Sequence, residues 1–151
     1  MALEIKKFKL SDKHMSLAET LHLLGSLYIK KGTCAPAIPL LNSALVAYRG
    51  RRDCEILKSD VLDLLGSAYA KIGDPDDAIL SFEHSLKIKQ SVVGEDTIPC
   101  ANVLMEIGRL RALNNDDDGA LAAFKEGDYS LYSICCAHLC TILKSYDSFP
   151  S

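Results

Sequence analysis

No run of about 18 apolar residues occurs in the sequence, so no segment is expected to cross a bilayer. The most apolar stretch, Leu131 to Leu143, is interrupted by Ser133, His138 and Thr141. The N-terminal MALEIKKFKLSDKH interleaves its charges and no apolar h-region follows, so no secretory leader is expected. Asn-x-Ser/Thr sequons are absent. Charge of one sign is also missing. With 17 basic and 20 acidic residues the net charge is −3, which excludes a strong field aimed at nucleic acid or an acidic membrane. Five prolines and nine glycines exclude collagen-like or proline-rich character. The 48% hydrophobic fraction, in turn, excludes general disorder. The 151 residues suit a single domain, residues 1–151, burying about two thirds of its unfolded surface. The six cysteines (Cys34, Cys54, Cys100, Cys135, Cys136, Cys140) read as reduced thiols of a cytoplasmic protein, mostly small core residues.

What is present is a repeat. Gly25, Gly66 and Gly108 are spaced by 41 and 42 residues. Around them run Leu21-x-x-Leu24-Gly25-x-x-Tyr28, Leu62-x-x-Leu65-Gly66-x-x-Tyr69 and Leu104-x-x-Ile107-Gly108-x-x-Arg111. At constant offsets there follow a small residue (Ala37, Ala78, Ala120) and a bulky one (Leu41, Phe82, Phe124). Residues at i, i+3, i+4 and i+7 share one helix face. Leu62, Leu65, Gly66 and Tyr69 therefore form the core stripe of a first helix, and Ala78, Phe82, Ser85 and Leu86 that of a second. Glycine and alanine fall where two backbones approach closely, and the bulky residues fill the gaps. Between the helices, Gly73 ends the first in the left-handed conformation. Asp74 caps the second, Pro75 suits its first position, and Asp76 and Asp77 complement its dipole. Gly32 with Thr33, and Asn115 with Asp116, are expected to do the same in the other units. Pro39 should kink the second helix of unit one or delay its start.

These blocks resemble the tetratricopeptide repeat family, whose ordinary period is about 34 residues. The extra residues fall after each second helix, at 48–53 and 91–97. Val92-Val93-Gly94-Glu95-Asp96, leading into Ile98–Leu104, resembles the linker of kinesin-light-chain-type repeats. Ser11-Asp12-Lys13-His14, leading into Leu17–Leu21, resembles it too. The resemblance covers roughly residues 11–127, with units at about 15–50, 56–92 and 98–127. It implies an all-α antiparallel helix-pair solenoid, a right-handed α-α superhelix of three repeats. After Gly127 the pattern stops, and Asp128 stands where Leu45 and Leu86 stand earlier. Residues 128–151 are read either as a helix covering the open end, which stacked repeats need, or as the remnant of a truncated longer relative.

Candidate chemistry is sparse. Asn114 to Gly119 has the outline of a calcium loop, but position one is not Asp and position twelve is Lys125, so helix capping explains its acids. Cys135-Cys136-Ala137-His138-Leu139-Cys140 cannot converge four ligands on one ion from one helix, and buried thiols are the preferred reading. A zinc or enzyme centre there is a rival that elemental analysis would expose. His14, His22, His84 and His138 sit in no catalytic motif, and His84 reads as a solvent residue. Arg49-Gly50-Arg51-Arg52 reads as a solvated linker without interleaved aromatics, and Lys87-Ile88-Lys89 as a polar helix face. No catalytic residue, metal, cofactor or small-molecule substrate is expected.

The resemblance implies that partners lie on the concave surface lined by the first helices. The positions it exposes there are Glu19, His22, Ser26 and Ile29; Asp60, Asp63, Ser67 and Ala70; and Asn102, Met105, Arg109 and Ala112. The set is mildly acidic and mixed, which suits a peptide or helix of somewhat basic or polar character. Where carboxylate-clamping relatives carry Lys, Asn and Arg, this chain has His22, Ser26, Leu64, Asn102 and Glu106; four of the five lack the required group and Asn102 carries no charge, so no such clamp is expected. The function read from the sequence is a non-catalytic protein-interaction module. Its rival is a scaffold that self-associates through open ends, driven by exposed Leu131, Ile134 and Leu143.

Overall fold

The computed structural model describes residues 2–128, with side chains from residue 14 onward. The Cys135–Cys140 cluster and the tail at 129–151 lie outside the described residues. Within them the chain is all-α, without a β-strand: α1 (Ala2–Lys30), α2 (Ala37–Tyr48), α3 (Glu55–Ile72), α4 (Pro75–Val93), α5 (Ile98–Leu113) and α6 (117–128). One 3-10 turn, Arg52–Cys54, leads into α3. None of the helices described is long and apolar enough to span a membrane. The chain divides into two compact units, Met1–Ile88 and Lys89–Ser151, with the division falling inside α4.

The turns follow from local chemistry. Gly73 takes φ +87°, and the N–H of Asp74 reaches back to the Tyr69 carbonyl at 3.0 Å, closing α3. Asp74 Oδ1 then accepts from the Asp77 N–H at 3.3 Å, capping α4. Asn115 (φ +61°) and Asp116 repeat the device between α5 and α6, with the Gly119 N–H donating to Asp116 Oδ1 at 3.0 Å. Asp116 of that loop is thus used as a cap. Unit one departs from expectation. Gly32 turns the chain, but Thr33 Oγ1 donates to the Tyr28 carbonyl at 3.2 Å. Thr33 therefore finishes α1 and does not cap α2. Its helix α2 starts at Ala37, whereas α4 starts at Pro75, equivalent to position 34 in unit one. Pro39 explains the delay: in the first turn its missing N–H costs no helical bond.

In unit Met1–Ile88, the glycines sit where a facing side chain fills the space of a Cβ. A Cβ on Gly25 would lie 2.6 Å from Leu41, and one on Gly66 would lie 2.8 Å from the Phe82 ring. The core gathers Ala18, Leu41, Ala44, Val61 and Leu65 from α1, α2 and α3. Ser85 Oγ on α4 donates to the Ser59 carbonyl on α3 at 3.1 Å, both residues buried. Lys71 Nζ on α3 donates to the Ile29 carbonyl at the end of α1, at 3.4 Å. In the unit from Lys89 onward, a Cβ on Gly108 would lie 2.6 Å from Phe124. Cys100, Val103, Leu104, Ala120 and Ala123 are buried there. Lys89 is also buried, so Lys87-Ile88-Lys89 is not a plain polar face.

Tyr48 is fully buried and its hydroxyl has no hydrogen-bond partner among the described residues. Burial pushes its phenol above the ordinary value, with the charges of Glu19 and Cys54 adding to the effect. A buried hydroxyl without a partner costs desolvation that packing of the ring does not return. Tyr48→Phe is therefore expected to unfold at the same temperature or higher, with a gain of up to about 1 kcal/mol. A clear loss in thermal melts would show that the hydroxyl has a partner.

Candidate functional site

The first helix of each pair presents its outer face through residues that the turns and glycine contacts hold in register. On α1, Glu19 is exposed, and His22 and Ser26 are half-buried. Ser26 Oγ donates to its own helix, to the Leu23 carbonyl at 2.9 Å. Ile29 corrects the sequence reading: it is 6% exposed and belongs to the core. The buried side of α1 runs through Ala18, Gly25 and Ile29, and Ile29 follows Gly25 by one turn on that side. On α3, Asp60 is exposed, and Asp63, Ser67 and Ala70 are half-buried. Within this unit the positions carry the carboxylates of Glu19, Asp60 and Asp63 and the imidazole of His22.

On α5, Asn102, Met105, Arg109 and Ala112 are exposed. Arg109 is held by Glu106 one turn earlier, with Nη2 at 2.7 Å and Nε at 3.1 Å from Oε2. Its charge is thus locally balanced, and sequence reasoning missed the partner although the i,i+3 spacing announces it. Arg111, the residue in place of the tyrosine of the earlier units, donates from Nη1 to the Gly119 carbonyl at 3.4 Å. It ties α5 to α6, which is structural work.

The remaining sequence candidates fall to framework roles. His84 is exposed on α4. Arg51 and Asp53 pair at 3.4 Å in the linker, and that hydrogen bond holds the Asp53 carboxyl below the usual range. Cys34, Cys54 and Cys100 are buried free thiols. Burial pushes the Cys54 thiol up, with the charge of Asp53 adding, which disfavours the reactive thiolate. Among the described residues no group of three or more His, Cys, Asp or Glu could hold a metal ion.

A surface that the sequence reading placed in the core lies on another side of α1. Leu24 and Tyr28, assigned to its stripe, are 42% and 38% exposed, and Leu27 beside them is 60% exposed. With Lys31 they line a shallow apolar depression of about 130 Å³. The equivalent positions of α3, Leu65 and Ala68, are 3% and 0% exposed. The stripe was identified correctly as a face of the helix, but it is buried only where another helix covers it.

Comparison with known proteins agrees with this architecture. Residues 59–92 match the sequence pattern of the tetratricopeptide repeat. No curated protein matches the sequence. The crystal structure of BtubC (BKLC) from P. vanneervenii is similar at a TM-score of 0.65 and 22% identity, over 84% of this chain and 51% of that one. This chain thus spans about half the length of that structure. The crystal structure of the TPR domain of Arabidopsis FLU is similar at a TM-score of 0.69 and 14% identity, over 82% of this chain and 98% of that one. At these identities the likeness is one of fold.

Proposed function

We propose that this chain, a member of the tetratricopeptide repeat family, is a non-catalytic module that binds a peptide or helix of a partner protein. Repeats of this family are in general protein-interaction modules. The observation that carries the reading is the fold itself: helix pairs locked by Gly25–Leu41, Gly66–Phe82 and Gly108–Phe124, with polar side chains on the outer faces of the first helices. A rigid helix face can receive an extended or helical segment with little ordering cost to the receptor. Glu19, His22, Ser26, Asp60, Asp63 and Ser67 are the contact positions we assign in the first unit, and Asn102, Met105 and Arg109 those in the second. The carboxylates of Glu19, Asp60 and Asp63 among these positions favour a segment with Lys or Arg. The 41- and 42-residue spacing supports a kinesin-light-chain-like kind of repeat, and the setting we propose is cytoplasmic.

The test is quantitative capture from cytosol, comparing wild type with His22→Ala/Asp63→Ala/Arg109→Ala after circular dichroism shows the variant folded. Specific proteins should be retained by wild type and lost or depleted several-fold with the variant. Equal retention would move binding to the linkers or the tail and overturn the assigned face.

A further inference from the structure

We draw no further inference here: the strongest candidate, the surface patch of exposed apolar side chains Ile98, Met105 and Leu113 along α5, is an unpartnered helix face, and nothing in the structure shows what covers it.

Discussion

Gly66→Leu should destabilise the protein by about 1–3 kcal/mol or more, the range for overpacking a close-packed site. The sign is what makes the test discriminating. Gly66 lies in the middle of α3 (Glu55–Ile72), and intrinsic helix propensity alone would reward its replacement, by roughly 0.8–1.0 kcal/mol for alanine and somewhat less for leucine. Sterics oppose this. A Cβ at Gly66 would lie 2.8 Å from Phe82 Cδ2 and Cε2, and Phe82, only 4% exposed, has nowhere to move. The α3–α4 pair must then separate, straining the Ser85–Ser59 hydrogen bond. Thermal melts of wild type and variant measure the difference. Phe82→Ala in the Gly66→Leu background should return part of the loss, giving a coupling of the two sites in a double-mutant cycle. A Gly66→Leu protein that melts with wild type would mean that α3 and α4 do not meet at this register.

Leu41→Ala should cost about 2–5 kcal/mol, the range for truncating a leucine in a site that cannot collapse. Leu41 is fully buried and is the side chain that occupies the space above Gly25. Leu24→Ala should cost much less, within about 1 kcal/mol, because Leu24 keeps 42% of its surface in water and less apolar area is re-exposed on truncation. Urea unfolding of the two variants at low protein concentration separates these leucines. Equal losses would mean that the outer face of α1 is covered within one chain. The slope of free energy against urea should be unchanged in both, since neither substitution alters the surface exposed on unfolding to any extent.

The turns and the helix-pair register were legible in the sequence because their causes are local. Gly73 with Asp74, and Asn115 with Asp116, carry both the left-handed residue and the cap within a few positions. The Gly-to-bulky offset reappears as the three contacts Gly25–Leu41, Gly66–Phe82 and Gly108–Phe124. Thr33 was misread because its hydroxyl has a choice. With Pro36 and Pro39 delaying α2, the Tyr28 carbonyl is the nearer partner. The exposure of Leu24 and Tyr28 was not legible at all. In the same Leu-Gly-x-x-Tyr block the leucine is buried on α3 (Leu65) and exposed on α1 (Leu24), and Tyr69 is half-buried where Tyr28 is exposed. Ile29 and Lys89 were misplaced for a related reason: a residue beside a helix stripe is covered or bare according to what packs there, which spacing does not record.

The central claim is that a partner segment lies along the first helix of the pairs. Hydrogen–deuterium exchange of the chain alone and with its captured partner segment tests it most directly. The account predicts added protection in α1 near residues 19–26 and in α3 near residues 60–67, with α2 unchanged. Protection confined to the linkers at 49–53 and 94–97, or to residues beyond 128, would contradict it.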